Sequence, residues 1–299
     1  MTIENKKKHM NLTIVIPAYN EEEVLPTFLQ KLKAYLNKAG NENVSAIIVN
    51  DGSKDKTKAI LDSEKHVKIR VIHHKLNRGY GGALKSGILA SNAEYTITID
   101  ADGQHRFEDV DRLYNLIKQK KADMIVGSRR ETSKQSKFRL LGKWIIRRTA
   151  KILMPLPIYD INSGMKIYDT ELAQKYLKLM PDGMAFSDIM TLVFIHNRHL
   201  VIEEEIKIEH RQGGKSTIGV KTALHTLMEI VNIVVMFNPL RIFLPLSLML
   251  LLFGVGWGSF FIIKGHGLSV AAAFALIASL FIFLLGLIAE QLAQVRKNQ

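Results

Sequence analysis

Apolar positions along this chain follow two rules. Up to about residue 210 they come in short runs rich in Val and Ile, at 12–16, 45–49, 69–72, 95–99 and 124–126. Such runs read as strands buried on both faces. Between them, apolar residues recur at helical spacing over 21–37, 55–63, 81–91 and 107–120. This alternation predicts an α/β domain with a mainly parallel, Rossmann-like sheet covered on both sides. Ligands of such sheets bind beyond the carboxyl ends of the strands. After residue 240 the rule changes. Residues 242–263 form 22 positions without a formal charge, and 267–289 form 23 more. As a helix each reaches roughly 33 Å, enough to cross a ~30 Å hydrocarbon core. Only Lys264, Gly265 and His266 separate the two runs, which predicts a tight two-span hairpin.

Charge adds direction. Arg241 precedes the first span, and Arg296 and Lys297 follow the second. The positive-inside rule then puts both termini and everything before Arg241 in the cytoplasm. Lys6, Lys7 and Lys8 precede an apolar run that ends at Pro17, too short for a signal peptide. The expected organisation is a basic tail at 1–10, the α/β domain at 11–214, an amphipathic juxtamembrane helix at 215–238 and the hairpin with its short tail at 239–299. Val220, Leu224, Leu227, Val231 and Val234 give 215–238 one apolar face. The segment 129–151 carries nine Lys or Arg against Glu131, with Trp144, Ile145 and Ile146 among them. That composition suits an anionic membrane surface.

The 299 residues include 41 Lys plus Arg and 28 Asp plus Glu, a formal net charge of +13. The mean hydropathy of +0.06 is an average over two unlike parts. Residues 239–299 carry +3 and the remainder carries +10. A content of 47% hydrophobic residues excludes a disordered chain. The absence of cysteine excludes disulfides, zinc–thiolate sites and cysteine nucleophiles. A net positive charge also admits nucleic acid, but no nucleic-acid motif is present, and none is expected as a partner.

Unusual polar residues fall at the strand ends. Asp100 and Asp102 follow the fourth run and are spaced to share a hard divalent cation, Mg²⁺ or Mn²⁺, with substrate phosphates. Asp51, in Asn50-Asp51-Gly52-Ser53, reads as an acceptor for a nucleotide base or ribose, while Ser53 or Asp55 caps the next helix. Gly79-Tyr80-Gly81-Gly82 opens a helix whose free amides face either an anion or simply a tight turn. His73, His74, His105 and His210 form no metal constellation and read as surface or supporting groups.

These stretches together resemble family 2 glycosyltransferases of the GT-A fold, and within them the polyprenyl-phosphate hexosyltransferases of the dolichyl and undecaprenyl type. The resemblance is carried by Ile16-Pro17-Ala18-Tyr19-Asn20-Glu21, Val49-Asn50-Asp51-Gly52-Ser53, Asn77-Arg78-Gly79 and Asp100-Ala101-Asp102-Gly103-Gln104. It continues through Gly127-Ser128-Arg129, Asp160-Ile161-Asn162-Ser163-Gly164 and Arg211-Gln212-Gly213-Gly214-Lys215-Ser216. Each motif is modest, and the ordered set is specific.

The resemblance implies roles. Pro17, Tyr19, Glu21 and Asp51 hold the nucleoside, and Ala18, Arg78 and Gly79 belong to the same substrate-binding set. Asp100 and Asp102, with Gln104, bind the metal on the diphosphate. Arg129, Arg211 and Ser216 contact donor or acceptor phosphates, and Asp160 either orients the acceptor or takes a residual proton. Asn50 departs from the family, many of whose members carry a second Asp there. The implied reaction is inverting, metal-dependent transfer of one hexose from a nucleotide sugar to polyprenyl phosphate at the bilayer. A homo-oligomer is compatible with the sequence. Two rivals share the fold. A processive polysaccharide synthase calls for more spans and a Gln-x-x-Arg-Trp motif, both missing here. A membrane-anchored scaffold without chemistry does not call for Asp100 and Asp102.

Overall fold

The computed structural model describes residues 11–129, 158–207, 235 and 238–297. The chain divides into two compact units, an α/β domain and a helical hairpin, and each is described by itself. Arg211, Ser216, His210, the tail at 1–10, most of the basic segment 129–151 and nearly all of 215–238 lie outside the described residues.

Among the described residues, seven strands build one sheet. They are β1 (Leu12–Ala18), β2 (Val44–Asn50), β3 (Ile69–His73), β4 (Tyr95–Thr98), β5 (Met124–Ser128), β6 (Lys166–Asp169) and β7 (Val201–Glu205). Their order is β3-β2-β1-β4-β6-β5-β7. β6 runs antiparallel to both neighbours, and the other pairings are parallel. The expectation of a mainly parallel α/β sheet therefore holds. β6 and β7 lie beyond the strands the apolar pattern predicts. β6 is four residues long and starts with a lysine, and β7 ends in three glutamates, so neither carries the signature of a buried parallel strand.

The described helices of this domain are α1 (Leu25–Leu36), α2 (Thr57–Asp62), α3 (Tyr80–Leu89), α4 (Phe107–Lys120), α5 (Thr170–Tyr176) and α6 (Phe186–His196). α1 begins four residues later than the pattern predicts, with a proline in its first turn where the missing N–H costs nothing. Leu12, Ile14 and Ile16 bury one sheet face against Leu32 and Leu36 of α1 and Leu113 and Ile117 of α4. Ile47 and Val49 meet Ala83 of α3 on the other face. Each buried side chain of this size contributes about 1.5–3 kcal/mol. These two layers hold the strand ends still, so the loops beyond them have a fixed base.

The described part of the second unit is chiefly a pair of helices, α7 (Leu240–Ile263) and α8 (Val270–Lys297). Both are long and apolar enough to cross a membrane, with mean hydropathy 2.2 and 2.7 over their most apolar stretches. The turn between them uses Gly265 and Gly267 at φ of 75° and 72°, the left-handed region that favours glycine. The pair is antiparallel. Gly254 lies against Leu276, Gly258 against Ala272, and Gly286 against Phe243. Ser279 donates to the Ser247 carbonyl at 2.8 Å. Small residues bring the two backbones close, which is how helices associate where lipid removes the hydrophobic driving force. Leu and Phe cover the outside of the pair. Phe253, Trp257, Phe260 and Phe261 cluster toward the turn, as aromatic residues do at a bilayer interface.

Candidate active site

An open cleft of about 470 Å³ lies at the carboxyl ends of the sheet strands. Of the residues expected to act, Pro17, Ala18, Tyr19, Glu21, Asp51, Asp100, Asp102 and Arg129 line it. Arg78, Gly79, Gln104 and Asp160 do not line it, and they act on residues that do.

The β1–α1 and β2–α2 loops are laced to each other. Asn20 N–H donates to Ser53 Oγ, and Lys54 N–H donates to Asn20 Oδ1. Glu21 N–H donates to Thr57 Oγ1 at 2.8 Å, and Glu22 N–H to Asp55 Oδ2. The N-cap position of α2 is Lys56, which makes no side-chain cap, but Asp55 accepts from the first helical amide, Thr57 N–H, while Ser53 serves the neighbouring loop. Polar loop residues thus bond each other and leave Tyr19, 42% exposed, on the rim of the cleft.

Asp51 is almost fully buried. Its Oδ1 accepts from Arg78 N–H at 2.9 Å and lies 2.6 Å from His74 Nδ1, and its Oδ2 accepts from Gly79 N–H at 2.8 Å. His74 Nε2 lies 2.8 Å from Ser86 Oγ on α3. His74 is therefore a buried strut and not a surface group. Asn50 is not among the residues that line the cleft. Its Oδ1 accepts from Ser53 N–H, and its amide nitrogen lies 3.0 Å from His73 Nδ1. The family departure at this position thus concerns a buried amide beside a histidine.

The amides opening α3 do not face open space. Gly82 N–H donates to the Asp182 carbonyl at 3.0 Å, and a Cβ at Gly81 would stand 2.3 Å from the Pro181 carbonyl. Lys85 Nζ pairs with Asp182 Oδ1 at 2.7 Å. Of the two readings of this glycine run, the close turn is the one present.

Asp100 is held on both oxygens. Tyr80 donates its hydroxyl to Oδ1 at 2.9 Å, and His105 Nε2 lies 3.5 Å from Oδ2. The Gly164 backbone presses against the same carboxylate, so that a Cβ there would stand 2.4 Å from Oδ2. Burial pushes the Asp100 carboxyl up, but the His105 hydrogen bond and charge, the Tyr80 hydroxyl and Arg129 outweigh it and hold it below the usual carboxylate range. Burial, with the Asp100 charge, pushes the Tyr80 hydroxyl well up, so it stays a donor. Asp102 Oδ1 accepts from Gln104 N–H at 3.1 Å. Two oxygen donors of this kind fit Mg²⁺ or Mn²⁺, which keeps waters and takes phosphate oxygens for its remaining positions. Among the described residues no group of three His, Cys, Asp or Glu converges.

Arg129 and Asp160 form a forked pair. Asp160 Oδ2 accepts from Arg129 N–H and Nε, each at 3.0 Å, and Oδ1 lies 3.4 Å from Nη2. Nη2 also donates to the Asn162 carbonyl at 3.1 Å. Glu203 of β7 accepts the amides of Tyr159 and Asp160, both at 2.9 Å, and so fixes the start of that loop. Glu203 and Lys166 are site-building residues that motif reading passes over, while His74 is one of the supporting groups expected and Tyr80 sits in a run read only for its glycines. A lysine inside the apolar run Met165-Lys166-Ile167-Tyr168 is the one visible signal among them.

Residues 13–177 match the family model for glycosyl transferase family 2, and residues 238–295 match the GtrB C-terminal hairpin. The chain is similar to a dolichyl-phosphate beta-glucosyltransferase of Dictyostelium discoideum, 32% identical over 192 residues, covering 58% of this chain and 59% of that one. It is also similar to the undecaprenyl-phosphate 4-deoxy-4-formamido-L-arabinose transferase of Photorhabdus laumondii, 27% identical over 318 aligned positions, covering 99% and 91%. In structure it shares its fold with glucosyl-3-phosphoglycerate synthase of Mycobacterium tuberculosis, solved with Mn²⁺ and UDP-glucose. The TM-score is 0.56 at 18% identity over 75% of this chain and 80% of that one. With the family model covering more than half of its length, the chain belongs to glycosyl transferase family 2.

Proposed function

We propose that this chain transfers one hexosyl unit from a nucleotide-diphosphate sugar, a UDP-hexose or GDP-mannose, to polyprenyl phosphate. The transfer inverts the anomeric carbon and takes place at the cytoplasmic face of a membrane crossed by α7 and α8. The observation that carries this reading is the cleft. The Asp100 and Asp102 carboxylates and the Arg129 guanidinium line one open space at the strand ends of a chain that also bears an apolar hairpin. The names of the relatives support the acceptor class, since both act on polyprenyl phosphates.

Within this proposal Pro17, Ala18, Tyr19 and Glu21 hold the nucleoside. Asp51, which lines the cleft beside them, joins them in holding the nucleoside and also fixes Arg78 and Gly79. Asp100 and Asp102, with Gln104, hold a divalent cation, whose chemistry is to neutralise charge on the departing nucleoside diphosphate. Arg129, with Arg211 and Ser216, meets phosphate oxygens. The phosphate oxygen of the acceptor is already anionic near neutral pH, so no strong general base is needed. That requirement suits Asp160, whose carboxylate is committed to Arg129 and orients it. What remains for the protein is to align the two substrates and stabilise charge.

The test is a panel of radiolabelled UDP-glucose, UDP-N-acetylglucosamine, UDP-galactose and GDP-mannose with polyprenyl phosphate, in the presence of Mn²⁺ or Mg²⁺. One donor is expected to give a labelled lipid, and chelation is expected to stop it. No labelled lipid from any donor would overturn the proposal.

A further inference from the structure

Behind the cleft sits a cation for which the reaction above has no use. Lys166 opens β6, pairs with Thr98 of β4 and Val126 of β5, and is 0% exposed in the middle of the sheet. Its Nζ donates to the Ile161 carbonyl at 2.6 Å and to the Ser187 carbonyl at 2.5 Å. These carbonyls belong to two different walls. Ile161 follows Asp160 and precedes Asn162, whose carbonyl holds Arg129. Ser187 stands in the first turn of α6 and lines the cleft. The same 160–164 loop ends at Gly164, whose carbonyl accepts from Thr98 Oγ1 at 2.8 Å and whose backbone presses on Asp100. The loop therefore touches both charged partners of the site, and Lys166 is what ties it to α6.

A buried ammonium is costly, and an apolar side chain fills a sheet interior more cheaply. Burial pushes Lys166 down to about 8, and the Asp188 and Asp160 charges oppose that fall. At neutral pH it keeps its proton. Its hydrogen bonds join the part-buried Ile161 carbonyl to the buried Ser187 carbonyl, which Thr191 Oγ1 also reaches at 2.9 Å, and an apolar residue would make neither bond.

We propose that Lys166 is a positioning residue of this site. By clasping the 160–164 loop to the first turn of α6, it fixes the Arg129–Asp160 pair relative to Asp100 and so sets the acceptor phosphate opposite the donor. The last step rests on the transfer reading above, and the clasp itself does not.

The test uses the full chain in bilayers. Lys166→Met is compared with wild type for thermal midpoint, for binding of UDP and GDP with Mn²⁺, and for turnover with polyprenyl phosphate per folded molecule. Nucleotide affinity is expected to stay within about threefold while kcat falls by at least ~tenfold. Unchanged kcat, or nucleotide binding lost in step with turnover, would overturn the positioning role. Should the variant fail to fold, amide hydrogen exchange on the wild-type chain decides the clasp. Residues 160–164 and 186–190 are expected to open together, and clearly separate opening free energies would overturn it. Absence of transfer by the wild type would remove the transfer reading and leave the exchange result standing.

Discussion

Asp102 and Asp100 differ in how the protein holds them. Asp100 is braced by Tyr80, His105 and the Gly164 backbone, whereas the hydrogen bond to Asp102 comes from its own turn. Replacing Asp102 by Ala is expected to abolish metal-dependent transfer and leave the thermal midpoint unchanged. Activity that survives would remove it from the metal set. Gly164→Ala places a methyl against the Asp100 carboxylate and must displace one of them. Turnover is expected to fall by at least ~tenfold, about 1.4 kcal/mol of transition-state stabilisation, with the sheet intact. Wild-type kinetics in that variant would mean the loop yields freely. Lys166 leads to a pH prediction. Its folded value of about 8 lies below its ordinary value of 10.5. Between these values the unfolded chain binds more protons than the folded one, so stability rises with pH across that window. Denaturant midpoints measured at about pH 7.5 and about pH 9.5 check this, and Lys166→Met is expected to flatten the rise. At this scale the acidic motifs were legible, because several carboxylates fall in register at the ends of neighbouring strands. Their braces were not, since Tyr80, His74 and Gly164 reach their partners from distant parts of the chain.

The elements that shape the cleft are tied to one another by loops. The α3 start is closed by the 181–183 turn, and Gly81→Ala would drive a methyl into the Pro181 carbonyl. The wall formed by that turn and Met184 would shift, and nucleotide affinity is expected to weaken by at least ~tenfold, or ~1.4 kcal/mol. Isothermal titration with UDP and GDP in the presence of Mn²⁺ checks it, and unaltered affinity would detach this wall from the donor site. The first five strands were readable because strands of a mainly parallel sheet are rich in Val and Ile, and even β3, at the sheet edge with Arg70 exposed, keeps that composition. β6 and β7 escaped because each carries charge with a local purpose. Lys166 reaches carbonyls outside its own strand, and Glu203 fixes the amides of Tyr159 and Asp160. In the hairpin, Gly254 and Gly258 look like helix-weakening residues in sequence, and packing explains them: they are where α8 comes close.

At the scale of the whole molecule, a polar catalytic domain and an apolar hairpin share one chain whose average hydropathy describes neither. If the acceptor is a long isoprenoid phosphate, membrane attachment shortens the search for it. Deleting residues 239–299 is expected to depress transfer to long-chain polyprenyl phosphate far more than transfer to a short, soluble analogue. Equal losses on both acceptors would argue against an anchoring role. The +10 carried outside the hairpin falls largely in 129–151. Transfer on anionic vesicles is accordingly expected to weaken as ionic strength rises, because surface charge is screened within roughly 10 Å at 0.1 M salt.

The sequence by itself determined the layered α/β class, the two-span hairpin and the acidic strand ends. Each depends on a short period or a local composition, and these survive in one dimension. The tertiary structure decided which of these residues face the cleft and which only support it. Asp51 lines the cleft and also holds a loop, Asp160 holds Arg129, and Lys166 joins two walls. Those outcomes depend on contacts between residues far apart in the chain, where burial makes every hydrogen bond obligatory and no local pattern records the partner.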